Sequence, residues 1–205
     1  GTFLNGLVHV GDERRPAGRA DEPPTTKLAE SLQSLGVEMG RLKTGTPPRL
    51  DRRSIDFSRL SPEQGDDPVV PFSFLSTQVV RAQVDCHLVH TTSELHDLVR
   101  KNIGLSPLYN GQIEGIGPRY CPSLEDKVMR FPDKERHQIF LEPEGLDVDE
   151  VYVNGLSMSL PRAVQEQVVA ALPGLERARF LRHAYAVEYD FVQPTELLAS
   201  LEVKC

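Results

Sequence analysis

Proline and glycine punctuate this chain at almost every joint, and that punctuation limits it to short elements linked by many loops. Sixteen prolines and fifteen glycines in 205 residues lie between periodic stretches and not in one low-complexity block, so they separate elements that fold. The length is enough to bury a real core, as one large domain or two small ones. No apolar run approaches the roughly 20 residues needed to cross a bilayer, and no charged-then-apolar leader opens the chain. The expectation is a soluble intracellular protein with no membrane partner.

Residues Thr2 to Val10 read as strand material with a two-residue turn at Asn5-Gly6, predicting an opening hairpin. Pro23-Pro24-Thr25-Thr26 leads into Leu28, Leu32 and Leu35, spaced for one face of a helix that Gly36 stops. Val37 to Lys43 predicts a strand running to Pro47-Pro48, and Gly65-Asp66-Asp67-Pro68 marks the entry to a second unit. Val84 to His90 alternates as a strand. Thr91 and Glu94 then form a capping box ahead of Leu95, Leu98, Val99 and Ile103, closed by Gly104. Lys127 to Phe131 and His137 to Leu141 predict two strands about the turn at Pro132-Asp133. Pro161 starts a helix carrying Val164, Val168, Val169 and Leu172, and Pro173-Gly174 ends it. His183, Tyr185, Val187, Tyr189 and Phe191 alternate with Ala184, Ala186, Glu188 and Asp190 as in a half-buried strand. Together these elements predict an α/β fold without internal repeats.

A formal charge of -7 argues against binding nucleic acid through the overall field, so any such contact needs a local patch. Arg41, Lys43, Arg49, Arg52 and Arg53 stand against only Asp51 in their stretch; that is either an RNA-facing groove or a solvated face. Cys86, Cys121 and Cys205 are odd in number and widely spaced, which speaks against disulfides and structural zinc. His87 and His90 would point to opposite faces of a strand, so no metal site is expected there.

One loop carries chemistry. Gly117-Pro118-Arg119-Tyr120-Cys121-Pro122-Ser123 holds a thiol between two prolines, behind a cation and a phenol. Proline restricts the backbone on either side, Gly115 and Gly117 permit sharp turns, and Arg119 can bind an anion or favour thiolate. The alternative is that Cys121 is a small buried apolar group.

This loop sits among further segments with a shared spelling: Gly1-Thr2-Phe3-Leu4, Gly40 to Arg49, Gly117 to Phe131, Leu141-Glu142-Pro143-Glu144-Gly145 and Glu188-Tyr189-Asp190-Phe191. On these the chain resembles the MnmG family, also called glucose-inhibited division protein A, the flavin subunit of a tRNA wobble-uridine modifying enzyme. The likeness runs from end to end, weakest between about Ser61 and Gln83. Departures are small: Glu22 follows Asp21 where Gly-Asp is usual, and Val153 stands where proline is common.

The resemblance implies a Rossmann-like FAD-binding domain of the glutathione-reductase type, interrupted by an inserted mixed α/β domain. Residues 1–60 would be part of the FAD domain, 61–160 the insert bearing the Cys121 loop, and 161–205 a helix and strands returning to the FAD domain. Cys121 would be the catalytic thiol, adding to the six-position of uracil or serving as base or carrier. Thr25 would contact FAD; read from the residues alone it is simply an N-cap. NADH would bind along Gly117, Pro118, Arg119, Tyr120, Cys121, Pro122, Ser123, Leu124, Glu125, Asp126, Lys127, Val128, Met129, Arg130 and Phe131. There Arg119, Lys127 and Arg130 meet phosphates, Tyr120 stacks on a ring, and Glu125 and Asp126 oppose the anion. Without the family, Glu125 to Arg130 reads as a mixed-charge surface. Arg41, Lys43 and Arg49 would face tRNA.

The implied activity adds an aminomethyl or carboxymethylaminomethyl group at the five-position of the wobble uridine, using methylenetetrahydrofolate and NADH. The implied partners are tRNA, the GTPase subunit MnmE and a second copy of the chain, in the bacterial cytoplasm or, in a eukaryote, the mitochondrion. Rival readings are a folate- and FAD-dependent tRNA uridine methyltransferase, a non-catalytic RNA-binding module and a redox sensor built on Cys121. The dinucleotide fingerprint G-x-G-x-x-G is missing, since Gly111, Gly115 and Gly117 are wrongly spaced. The chain therefore reads as the central portion of a longer protein, expected neither to bind FAD tightly nor to turn over alone.

Overall fold

In the computed structural model, residues 3–20 and 22–204 are described; Gly1, Thr2, Asp21 and Cys205 lie outside them. The order is β1 (Leu7–Val10), β2 (Glu13–Pro16), α1 (Thr26–Ser34), β3 (Met39–Thr46), β4 (Arg49–Asp51), β5 (Ser61–Glu63), β6 (Cys86–His90), α2 (Ser93–Lys101), α3 (Leu124–Arg130), β7 (Gln138–Pro143), β8 (Glu150–Asn154), α4 (Arg162–Ala170), β9 (Phe180–Arg182) and β10 (Tyr185–Val192). Two sheets result, both antiparallel: β2-β1-β10-β3 and β5-β6-β7-β8-β4-β9. Mixed α/β is the class, as the periodicities imply.

The chain changes sheet at Pro47-Pro48. β3 pairs along its whole length with β10, from Tyr185 opposite Thr46 to Val192 opposite Met39. Three residues after β3 ends, Arg49 already pairs with Tyr152 of β8. Neither proline can donate to a ladder, so pairing breaks there and resumes elsewhere. The main core lies on the six-stranded sheet, where Leu50, Ile139, Leu141, Val151 and Val153 pack against Leu95 and Val99 of α2, Leu124 and Val128 of α3, and Val164 and Val168 of α4. A smaller core of Val8, Val10, Ala17 and Val187 serves the four-stranded sheet.

The structure corrects several local expectations. The opening hairpin turns at Gly11, with φ of 56°, and Asp12, not at Asn5-Gly6. Gly6 instead accepts from Ala17 N at 3.0 Å, an approach so close that any side chain at position 6 would collide with the Ala17 carbonyl. Lys127 to Phe131 is not a strand; it lies in and just after α3. Ser123 accepts from Asp126 N while the Asp126 carboxylate accepts from Ser123 N, a reciprocal cap that starts a helix. Leu124 and Val128, four apart, then share the buried face. The N-cap of α2 is Thr92, not Thr91. Thr91 is used otherwise: its hydroxyl lies 2.7 Å from His96 Nε2 and accepts from His137 N at 2.8 Å.

Other expectations hold. α1 ends before Gly36, with φ of 82°, and α4 begins after Pro161 and runs out toward Gly174, also at 82°. Residues 64–85 form no helix or strand and leave Val70, Phe72, Phe74, Leu75 and Val80 exposed. No helix among the described residues is long and apolar enough to cross a membrane.

Candidate active site at the Cys121 loop

The loop is positioned before it begins. Ile116 docks beside β3, donating to Arg41 O at 3.4 Å and accepting from Lys43 N at 3.0 Å. Just upstream, Glu188 Oε1 accepts from Glu114 N at 2.9 Å and Gly115 N at 2.7 Å. A Cβ at position 115 would stand 2.8 Å from Leu42 O, so only glycine permits this seat. Glu188 is 3% exposed. Its other oxygen meets His9 Nε2 at 2.7 Å, and the Gln112 amide nitrogen donates to both His9 Nδ1 (2.9 Å) and Gly11 O (3.2 Å). Because Gln112 donates to Nδ1, the proton of a neutral His9 sits on Nε2 and is donated to Glu188. Burial pushes His9 below the ordinary histidine range, against the pull of Glu188, in keeping with that neutral form.

From this anchor the chain turns outward. Tyr120 adopts φ of 66° and Cys121 N donates to Pro118 O at 3.3 Å, closing a tight turn. The Arg119 guanidinium lies 4.8 Å from the centre of the Tyr120 ring, and the ring is 86% exposed. Cys121 is exposed too. It opens on a cleft of about 470 Å³ rimmed by Arg119, Tyr120, Asp126, Arg130 and Phe131. The sulfur is therefore not the buried apolar group that was the dull alternative.

Of the residues expected along the dinucleotide segment, Arg119 and Arg130 line the cleft, with Arg130 Nε 3.1 Å from Asp126 Oδ1. Lys127 turns away, donating to Gly155 O at 2.8 Å, and burial lowers its pKa. Glu125 and Asp126 are not surface charges. Glu125 is wholly buried, its Oε1 accepting from Ser106 Oγ, Ser159 N and Ser159 Oγ at 3.2, 2.8 and 3.1 Å. Glu125 thus points into the core, away from any anion in the cleft. Leu124 and Val128 are core residues, while Met129 and Phe131 stay exposed.

Thr25 occupies the N-cap position of α1, but among the described residues its hydroxyl makes no capping bond. A second cleft, of about 390 Å³, lies on the other face of β3. Phe3, Thr44, Tyr185 and Val187 line it, with Arg19, Arg49 and Arg182 also on its walls. The cationic patch is paired from elsewhere in the chain. Arg41 meets Asp190 at 2.8 Å; Arg49 meets Glu144 at 2.7 Å and Glu150 at 3.6 Å and stacks on Tyr152; Arg53 meets Asp51. Lys43 is buried at 3% exposure, beside the cysteine loop. Among the described residues no cluster of three or more His, Cys, Asp or Glu is placed to hold a metal ion.

The sequence did not point to His9, Gln112 or Glu188 as a unit. Glu188 fell on the polar face of an alternating strand, and only its pairing with β1 brings His9 under it.

The whole chain, residues 1–205, matches the family model described as glucose inhibited division protein A. It is 55% identical over 204 residues to a tRNA uridine 5-carboxymethylaminomethyl modification enzyme MnmG of Thermodesulfovibrio yellowstonii, and 54% identical to that of Geobacter sulfurreducens. All of this chain is covered in both, but only 33% and 32% of those proteins, so it spans about a third of the length of these relatives. The crystal structure of Aquifex aeolicus GidA in form I superposes with a TM-score of 0.90 at 51% identity, covering all of this chain and 35% of that one. With the loop spelling, the two-sheet fold and the full-length match in agreement, the chain belongs to the glucose inhibited division protein A family.

Proposed function

We propose that this chain is the part of a flavin-dependent tRNA-modifying enzyme that presents a nucleophilic thiol to a wobble uridine. The observation that carries the reading is the exposure of Cys121 in a cleft rimmed by Arg119, Tyr120 and Arg130. The names of its relatives, tRNA uridine modification enzymes, support the substrate class.

Within that reading the exposed Tyr120 ring, braced by Arg119, offers a platform on which a base can stack. Arg119 and Arg130 receive phosphate. Cys121 adds to C6 of the uracil, making C5 nucleophilic. The Thr25 hydroxyl, at the N-terminus of a nine-residue helix, fits a ribose or phosphate of FAD. The groups brought by FAD, NADH and methylenetetrahydrofolate supply hydride and one-carbon chemistry when bound.

We further propose that the four-stranded sheet is part of the FAD-binding domain and that the six-stranded sheet is the inserted unit. Joints near Pro47-Pro48 and His183-Ala184 would then replace simple cuts at 60 and 160, since β4 and β9 pair within the larger sheet. Partnership with the MnmE GTPase, self-association and a cytoplasmic or mitochondrial setting rest on family resemblance.

The test is nucleoside analysis of tRNA from cells whose full-length protein carries Cys121→Ala. Loss of the wobble modification with flavin absorbance retained supports the reading, and intact modification overturns it. Loss of 5-methyluridine instead would indicate the methyltransferase alternative.

A further inference from the structure

Behind Cys121 the loop closes over Lys43. The Lys43 side chain is 4% exposed, yet its Nζ lies 3.9 Å from Asp126 Oδ2, beyond hydrogen-bond reach, and it has no other partner among the described residues. Asp126 is engaged by others: Arg130 Nε at 3.1 Å, the Tyr109 hydroxyl at 3.3 Å and Ser123 N at 3.3 Å. An ammonium has three donors and no acceptor capacity, and Lys43 Nζ is not one of the buried polar atoms without a partner, so it keeps contact with the surface and can donate to a ligand that enters there.

Lys43 N is held by Ile116 O, and the lysine Cδ passes 4.0 Å from where a Cβ of Gly117 would stand. With Gly45, Cys121, Ser123 and Ser157, Lys43 lines a recess of about 10 Å³ at the seam between the sheets. That is room for one water-sized group. It suits a single carbonyl oxygen and is too small for a phosphate.

We infer that Lys43 is a catalytic residue, donating a hydrogen bond to the O4 carbonyl of the uracil that Cys121 attacks. This rests on the reading of Cys121 as nucleophile. With the thiol proton first released to solvent, the thiolate forms the Sγ–C6 bond, the C5=C6 π pair shifts toward C4, and the thiolate's negative charge moves to O4; no further group leaves and no oxidant is needed. A donor already fixed beside O4 stabilises that charge as it develops. Lys43, first expected to face tRNA, is thereby reassigned from the RNA backbone to the reacting base.

The experiment uses the full-length protein and an anticodon stem-loop with 5-fluorouridine at the wobble position, whose thiol adduct is read on a denaturing gel. Lys43→Gln and Lys43→Met are expected to slow adduct formation at saturating RNA by about 100-fold or more, with stem-loop affinity and its salt dependence unchanged. An unchanged adduct rate overturns the inference, as does weaker binding with a shallower salt slope, the mark of a phosphate contact. If the variants fail to fold, the unaltered protein decides. The same stem-loop is then made with 5-fluoro-4-thiouridine or 5-fluoro-2-thiouridine at the wobble position: a thiocarbonyl at C4 makes C6 more electrophilic but accepts hydrogen bonds poorly, so the 4-thio probe should react at least several-fold more slowly than the 2-thio probe. Equal or faster reaction overturns the role. An adduct that persists in Cys121→Ser, or none with the unaltered protein, overturns the reading of Cys121 itself; an adduct lost in Cys121→Ser but insensitive to Lys43 overturns this inference alone.

Discussion

His9 and Glu188, 179 positions apart, meet at 2.7 Å in the interior, and the second Glu188 oxygen holds the backbone that leads to Cys121. Replacing the carboxylate should therefore cost stability and loosen the loop together. Glu188→Ala leaves two amides and the imidazole N–H without their acceptor and should destabilise by about 1–3 kcal/mol for each donor left unpaired, read by denaturant unfolding. Amide exchange at Glu114 and Gly115 should rise in step. A variant as stable as the parent would show that the contact contributes nothing net.

Gly115→Ala should act at the same anchor from the other side. The new methyl would stand 2.8 Å from Leu42 O, a backbone atom that cannot swing away. Displacing residues 114–116 should lower tRNA modification in the full-length protein more than tenfold, an order-of-magnitude expectation for a misplaced reacting group. Modification at the parent rate would mean that the loop is positioned from downstream only.

Ser123→Ala tests the start of α3. Losing the side-chain cap should cost about 1 kcal/mol, with faster amide exchange at Asp126, whose N–H the serine accepts from. No change in either would imply that packing of Leu124 and Val128 alone sets the helix.

Acid should destabilise the fold through its buried imidazoles. Burial, followed by the nearby His96 and lysines, brings His137 from 6.5 down to about 4; His9 and His96 move the same way, each chiefly through burial. The unfolded chain thus binds protons between pH 6.5 and about 4 that the folded chain does not. The contribution is complete above pH 6.5 and is lost as pH falls toward 4. Thermal midpoints followed across that range should decline, and His137→Leu should flatten part of the decline. A midpoint indifferent to pH in this window would contradict the burial of these rings.

Phe72 and Phe74 are fully exposed, so Phe72→Ser with Phe74→Ser should shift the unfolding free energy of this chain by no more than about 0.5 kcal/mol for each change. A larger loss would mean that these rings pack on the chain in solution.

Local pattern was enough for much of this protein. Leu28, Leu32 and Leu35 before Gly36, and Pro161 before Val164 to Leu172, marked two helices because start, periodicity and stop all lie within one short window. The prolines around Cys121 likewise marked a constrained loop. The error at Lys127 to Phe131 arose because a short alternating run fits either period, and the deciding cap, Ser123 with Asp126, lay just upstream.

Long-range pairing decided the rest. The antiparallel register of β10 with β1 and β3 carries Glu188 under His9 and buries both faces of a strand whose alternation implied one. The same packing turns Glu125 into the core and sets Lys43 beside the thiol's loop. Residue type and spacing specify which groups can ionise, cap or react. Whether a charge meets water, a partner or an apolar wall depends on strands brought together from distant parts of the chain, because desolvation is a property of the assembled neighbourhood and not of the local sequence.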